Sequence, residues 1–77
     1  MTKVKVYTKN NCPQCDMTKM VLSSNSIEFE LINVEQNEEA HDYVVNTLGF
    51  RSVPVVEVEG QETFTGFQPD KLQELKQ

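Results

Sequence analysis

The segment that most restricts the fold of this chain is the tetrad Cys12-Pro13-Gln14-Cys15, which stands between a predicted strand and a predicted helix. The alternating residues 3–7 before it are typical of a strand, and residues 16–22 after it predict a helix. Two cysteines at this spacing can close a disulfide across one turn at a helix start. The unpaired N–H groups and the helix dipole there stabilise a thiolate on the first cysteine. The pattern therefore favours a reversible redox pair.

Two other roles for the cysteine pair are weaker. A closed zinc site needs about four ligands, whereas the whole chain offers two cysteines and one histidine, His41. A purely structural disulfide over so short a loop would remove little entropy from the unfolded chain. We therefore expect a catalytic dithiol, with no metal site and no bound cofactor.

Length and charge exclude several function classes. The 77 residues are expected to form one domain, residues 1–77, with one thin core. No apolar run approaches the ~18 residues that span a bilayer, and the chain enters its first strand without an apolar signal-peptide region. We therefore expect a cytoplasmic protein. A net charge of −5 without a basic patch argues against nucleic-acid binding, and nothing in the sequence indicates more than a monomer.

The predicted elements follow the order βαβαββα. Strands are predicted over residues 3–7, 27–34, 53–58 and 62–65. Helices are predicted from the tetrad to about residue 25, over residues 38–48 and over residues 69–75. The first two strands should be parallel, and the last two should form an antiparallel hairpin.

Three apolar sets are expected to face the core. Alternation places the first set on one face of the second strand: Ile27, Phe29 and Leu31. Helical spacing places the second on one face of the second helix: Ala40, Val44, Val45 and Leu48. The methionines of the first helix form the third: Met17 and Met20.

This order, with a CxxC motif opening the first helix and a proline opening the third strand, resembles the thioredoxin fold, here in a glutaredoxin-sized member. Such an α/β fold has a four-stranded mixed sheet flanked by three helices. Three segments are similar to the NrdH-redoxins, glutaredoxin-like electron donors of class Ib ribonucleotide reductase. They are residues 6–15, residues 49–56 and Phe64-Thr65-Gly66-Phe67-Gln68-Pro69-Asp70.

The third segment departs from the family's Trp-Ser-Gly-Phe-Arg-Pro-Asp/Glu signature at three positions. Phe64, Thr65 and Gln68 stand where the family carries Trp, Ser and Arg. The missing Arg removes a cation and a fork of donors that could tie loops together or contact a partner.

The positions of the two cysteines imply their roles. Cys12, at or just before the helix start, is expected to be the more exposed one and to attack the target disulfide. Cys15, one turn further in, would then resolve the mixed disulfide. Lys9, three residues before Cys12, is either a solvated lysine or a cation that favours the thiolate. Gln14 stands where glutaredoxins carry an aromatic residue, and it either contacts substrate or faces solvent.

The resemblance also implies a substrate-binding surface. In this fold the proline that opens the third strand is cis and faces the cysteine pair, so Val53 and Pro54 would present backbone to an extended substrate. Thr8 and Phe67 are expected to shape the same rim, although Phe67 is equally suited to the core.

The resemblance bears on the electron donor as well. Glutaredoxins hold glutathione with a Gly-Gly pair followed by a polar residue and Asp, whereas this chain has Gly66-Phe67-Gln68-Pro69-Asp70. A bulky Phe and a proline without an N–H should weaken glutathione binding. The expected donor is thioredoxin reductase, and the expected acceptor is the large subunit of class Ib ribonucleotide reductase. A glutathione-dependent glutaredoxin and a module that holds a metal or an iron–sulfur cluster between two chains are the alternatives.

Overall fold

The computed structural model describes residues 3–75. Its elements follow the predicted order βαβαββα, with a π-helical segment after the second helix. The strands are β1 (Val4–Thr8), β2 (Glu30–Asn33), β3 (Val55–Val58) and β4 (Phe64–Thr65). The helices are α1 (Pro13–Ser24), α2 (Glu38–Asp42) and α3 (Pro69–Gln73), and the π-helical segment is Tyr43–Thr47.

The four strands form one mixed sheet in the order β2-β1-β3-β4. β1 is parallel to β2 and antiparallel to β3, and β3 and β4 form an antiparallel pair, as predicted. Tyr7 lies opposite both Ile32 and Val55, and Val55 lies opposite Thr65. The ends of β1, β2 and β4 therefore meet the start of β3 at one edge of the sheet.

Alternation along the strands divides the core between the two faces of the sheet. On one face, Val6 and Val56 pack with Leu22 of α1 and Leu72 of α3, and all four side chains are buried. On the other face, Tyr7 and Val55 pack with Val44 of the π-helical segment, and Ala40 and Leu48 lie against this cluster.

The second helix, predicted over residues 38–48, changes its hydrogen-bonding pattern partway along. The α-helix ends at Asp42, and a π-helical turn follows in which the Leu48 N–H donates to the Tyr43 carbonyl. The apolar spacing predicts a helical face and does not distinguish hydrogen bonds to the fourth residue from bonds to the fifth. Val44 is buried as expected, and Val45 is half-buried.

Two predictions of core packing are wrong. Leu31 lies opposite Val6, but 46% of it is exposed because β2 is an edge strand. Met17 and Met20 face outward from α1. Ile27 is buried and Phe29 is half-buried, as expected. The predicted strand included both residues, but β2 begins after them, at Glu30.

The third strand begins at Val55, two residues later than predicted. Pro54 has no N–H to donate to a neighbouring strand, so regular pairing starts after it. Among residues 3–75, no helix is long and apolar enough to cross a membrane.

Candidate active site

The cysteine pair lies at the N-terminus of α1. Cys12 is the N-cap residue, Pro13 follows in the first turn, and the two cysteines form a disulfide with 5.2 Å between their Cα atoms. The Cys15 N–H donates to Cys12 Sγ at 3.2 Å. This donor belongs to the first helical turn, where backbone N–H groups have no partner within the helix. The same N–H and the helix dipole can stabilise a Cys12 thiolate once the disulfide is reduced.

Cys12 is more accessible to solvent than Cys15, as predicted. Cys12 keeps 7% of its surface exposed, whereas Cys15 is completely buried. An incoming disulfide can therefore reach Cys12 first, and Cys15 is placed to attack the mixed disulfide from inside. This exchange transfers two electrons from the dithiol to the target.

A loop ending at Pro54 lies at the same edge of the sheet. The Val53–Pro54 peptide bond is cis, as the resemblance predicted, and Pro54 is fully buried. Thr8, at the end of β1, is 5% exposed, and its hydroxyl donates weakly to the Lys9 carbonyl at 3.4 Å. The register Tyr7–Val55 places Thr8 beside Pro54, and Cys12 follows Thr8 by four residues.

The turn after β4 ties this loop to the sheet. The Gly66 N–H donates to the Pro54 carbonyl at 2.8 Å, and Gly66 has a φ of 82°, which favours glycine. The Thr65 hydroxyl lies 3.0 Å from the Ser52 carbonyl and 3.1 Å from the Pro54 carbonyl. Gln68, which replaces the signature Arg, donates from Nε2 to the Thr65 carbonyl at 2.7 Å. Thr65, in place of the family's Ser, therefore keeps the loop hydrogen-bonded to β4, and Gln68 braces the turn that follows.

A cavity of about 230 Å³ lies between the loop after β1 and the loop before β3. Lys9 and Val53 both line it, so the structure brings together two of the predicted substrate-binding residues. Arg51 and His41 add basic groups to the same wall, and Glu35 adds a carboxylate. In a chain with a net charge of −5, this wall combines apolar and cationic surface. Sequence reasoning did not single out Arg51.

The other predicted site residues lie outside this cavity. Among residues 3–75, its lining includes neither cysteine and none of the remaining predicted substrate-binding residues: Thr8, Gln14, Pro54, Gly66 and Phe67. Gln14 is exposed on the first turn of α1, and its carbonyl accepts from the buried Thr18 hydroxyl at 2.9 Å. Phe67 is half-buried and packs against the core cluster under α3, so part of its ring stays at the surface.

Sequence reasoning missed a group of polar residues beside the cysteine loop. The Asn10 N–H donates to Glu35 Oε1 at 2.7 Å, and Asn33 Nδ2 donates to Asn10 Oδ1 at 3.0 Å. The Glu35 N–H in turn donates to Asn33 Oδ1 at 2.8 Å. Single Asn and Glu residues in a polar loop carry no local signal for such contacts, because the partners are 23 to 25 positions apart.

A second polar cluster lies on the sheet face under the π-helical segment. Tyr7 donates to Glu57 Oε1 at 3.2 Å, and Tyr43 donates to the other carboxylate oxygen. Burial, together with the Glu57 charge and hydrogen bond, raises the pKa of Tyr7 well above its usual value. The hydrogen bond to Glu57, followed by burial, raises the pKa of Tyr43. Both phenols therefore stay neutral donors.

The described residues contain no group of three or more His, Cys, Asp or Glu side chains that could hold a metal ion. The groups that the site itself supplies are its two sulfurs, the N–H donors at the start of α1 and the charged side chains beside Val53.

Comparisons with known proteins point to the same chemistry. The family model described as Glutaredoxin matches residues 4–63. The Gene 56 protein of Mycobacterium phage L5 is 42% identical over 72 residues, which cover 94% of this chain and 70% of that protein. The glutaredoxin-like protein NrdH of Salmonella typhimurium is 40% identical over 72 residues, which cover 94% of this chain and 86% of that protein.

A solved structure extends the similarity to three dimensions. The NrdH-redoxin from Escherichia coli superimposes with a TM-score of 0.86 at 37% sequence identity, covering 95% of this chain and 93% of that one. It is described as a glutaredoxin-like protein with a thioredoxin-like activity profile.

Proposed function

Since the chain belongs to the glutaredoxin family, as an NrdH-like thiol–disulfide oxidoreductase, we propose that it carries electrons from thioredoxin reductase to ribonucleotide reductase of class Ib. The acceptor is a disulfide on the large subunit of that enzyme. The observation that supports the choice of donor is that residues 66–69 offer few free backbone N–H groups to glutathione, because the Gly66 N–H is already bonded and Pro69 has none.

The proposed reaction has two exchange steps. The Cys12 thiolate attacks one sulfur of the target disulfide, forms a mixed disulfide and expels the other sulfur as a thiolate. Cys15, as a thiolate, then attacks Cys12 Sγ, releases the second target thiolate and closes the Cys12–Cys15 disulfide. Two electrons pass to the target, and thioredoxin reductase returns two electrons from NADPH to the pair.

Backbone donors near residue 66 support thioredoxin reductase over glutathione. The Gly66 N–H is already bonded to the Pro54 carbonyl at 2.8 Å. Pro69 is the first residue of α3 and has no N–H to offer a carboxylate. Phe67 stands where glutaredoxins have a second glycine, and its ring occupies space at the core boundary. Glutathione would therefore lose both contact area and hydrogen bonds at this end of the site.

The proposed docking surface for the target extends from the exposed part of Cys12 to the cavity that Lys9 and Val53 line. Val53 precedes β3 and can offer backbone groups to an extended segment in a strand-like manner. Lys9 and Arg51 line the same cavity and would attract carboxylates of the target segment. Thr8 and Gly66 lie at this edge of the sheet and shape it through their backbone. Gln14 and Phe67 would contact the target from either side.

The test is an NADPH-oxidation assay on the oxidised protein with two electron sources. One arm contains thioredoxin reductase, and the other contains glutathione with glutathione reductase. The proposal predicts fast oxidation in the first arm and slow oxidation in the second. Adding the oxidised large subunit of class Ib ribonucleotide reductase should then prolong NADPH consumption in the first arm. Turnover with glutathione alone would contradict the proposal.

Two variants of Phe67 test whether its side chain excludes glutathione. Phe67→Gly should raise turnover in the glutathione arm by about tenfold, equivalent to ~1.4 kcal/mol, because it opens the space that the ring occupies. Phe67→Leu keeps an apolar side chain there and serves as the matched control, with little gain expected. An equal gain in both variants would show that bulk at this position does not exclude glutathione.

A further inference from the structure

The loop of residues 9–11 joins β1 to the reactive cysteine and has little apolar support. All three of its side chains are exposed, and Asn11 has a left-handed φ of 55°. An exposed three-residue loop of this kind has many alternative conformations, and ordering it costs entropy. Something outside the loop must therefore hold it, because Cys12 follows directly and begins α1.

A ring of three hydrogen bonds connects this loop to the last residue of β2 and the turn after it. Its members are Asn10, Asn33 and Glu35, and each residue both donates and accepts: the Asn10 N–H to Glu35 Oε1 at 2.7 Å, Asn33 Nδ2 to Asn10 Oδ1 at 3.0 Å, and the Glu35 N–H to Asn33 Oδ1 at 2.8 Å. The Val34 N–H adds a bond to the Thr8 carbonyl at 2.8 Å.

We propose that Glu35 and Asn33 are positioning residues, which act through Asn10 to hold the cysteine loop in the conformation from which Cys12 reacts. One residue, Asn11, separates Asn10 from Cys12, so their Cα atoms lie within about 7 Å of each other. A bond from a backbone N–H to a carboxylate is among the stronger hydrogen bonds available at a surface. Fixing Asn10 therefore limits the movement of Cys12 relative to the first turn of α1.

The alignment that the ring maintains is the one that favours the thiolate. In the structure the Cys15 N–H points to Cys12 Sγ at 3.2 Å. If the loop moved, Cys12 would lose this donor during part of its motion, and fewer molecules would be ready to attack at any moment. Glu35 also lines the cavity proposed for docking, but the ring acts on the sulfur itself, so its loss should slow attack on small disulfides as well as on large ones.

This inference depends on the dithiol chemistry of the family and on neither proposed protein partner. It can therefore fail while the proposed function stands, and it survives if glutathione proves to be the donor. The experiment uses the reduced protein and dithiodipyridine, a small disulfide too simple to need a docking surface. Cys12 attacks it and releases one thiopyridone. Cys15 then closes the protein disulfide and releases the second, which is followed by absorbance in a stopped-flow instrument.

Four variants separate the hydrogen bond from the charge. Glu35→Ala and Asn33→Ala should each lower the second-order rate constant about fivefold, equivalent to ~1 kcal/mol. Glu35→Gln keeps an oxygen acceptor for the Asn10 N–H and should retain at least half of the wild-type rate constant. Glu39→Ala removes the same charge from the exposed first turn of α2 and should leave the rate constant unchanged.

Hydrogen exchange at the Asn10 amide gives a direct readout of the ring. Exchange at this N–H should speed up in Glu35→Ala and stay slow in Glu35→Gln, in parallel with the rate constants. If Glu35→Ala reacts as fast as Glu39→Ala, or if Glu35→Gln is as slow as Glu35→Ala, the inference is wrong. Should Glu35→Ala fail to fold, Asn10→Ala removes one bond of the ring at an exposed position, and a rate constant equal to the wild-type value would overturn the inference.

Discussion

The contact between the turn after β4 and the loop before β3 can be tested by replacing Thr65 with valine. The Thr65 hydroxyl lies 3.0 Å from the Ser52 carbonyl and 3.1 Å from the Pro54 carbonyl. Valine has nearly the same shape as threonine and lacks only the hydroxyl. Thr65→Val therefore removes the hydrogen bond from the loop without leaving a cavity.

The structure sets the size of the effect. A hydroxyl has one hydrogen, so it donates only one of these two bonds at a time, and its long 3.4 Å contact with the exposed Ser52 hydroxyl is replaced by water. The Pro54 carbonyl keeps its bond from the Gly66 N–H at 2.8 Å, and Ser52 is exposed, so water can reach its carbonyl. Neither oxygen is left buried and unpaired, which places the loss at about 1 kcal/mol of unfolding free energy. For a domain of this size, that lowers Tm by about 4–8 °C.

Thermal unfolding followed by circular dichroism measures this shift, with Thr65→Ser as the matched control. Serine keeps the hydroxyl and loses one half-buried methyl group, so it should cost less than about 0.8 kcal/mol. The reasoning is refuted if Thr65→Val melts within about a degree of the wild type. It is also refuted if the serine variant is destabilised as much as the valine variant, because the methyl and not the hydroxyl would then be the stabilising group.

Three other predictions follow from the site and the core. Cys15→Ser should accumulate a mixed disulfide with a protein target, visible by mass spectrometry, and unchanged turnover would contradict the two-step exchange. Folding raises the pKa of both Tyr7 and Tyr43, so their neutral forms stabilise the fold below pH ~10. This contribution should be lost as the pH rises above that value. Urea unfolding at pH values on both sides of 10 should show a smaller loss in the variant with both tyrosines changed to Phe, and an equal loss would refute the assignment. Leu72→Ala empties a fully buried position and should cost about 2–5 kcal/mol, measured in the same assay; a loss below about 1 kcal/mol would show that the α3 contact contributes little.

Residues close together in the sequence were sufficient to predict the redox pair. The spacing of Cys12 and Cys15 in a strand-to-helix setting predicts a disulfide across the first turn, and the structure has it. The difference in access between the two sulfurs follows from the same helical geometry, because Cys15 is one turn further in. The cis bond before Pro54 was predicted from the resemblance and not from propensity, since proline alone permits either isomer.

Predictions failed where the outcome depends on neighbours in space. Leu31 has the period of a buried residue, but β2 has only one neighbouring strand, and the side chain is exposed. The helical face of residues 40–48 was identified, yet its change to π-helical bonding at Tyr43 was not. Periodicity reports which side of an element is apolar, and it does not report what covers that side.

The order of the elements and the position of a reactive sulfur at a helix start can be predicted from the amino-acid sequence, because both depend on interactions within a few residues. The surroundings of that sulfur depend on tertiary contacts. The strand register places Thr8, Pro54 and Gly66 at one edge of the sheet, and the ring through Asn10 and Glu35 joins residues 25 positions apart. Such contacts form when the sheet pairs, and their partners are chosen by geometry that no short segment encodes.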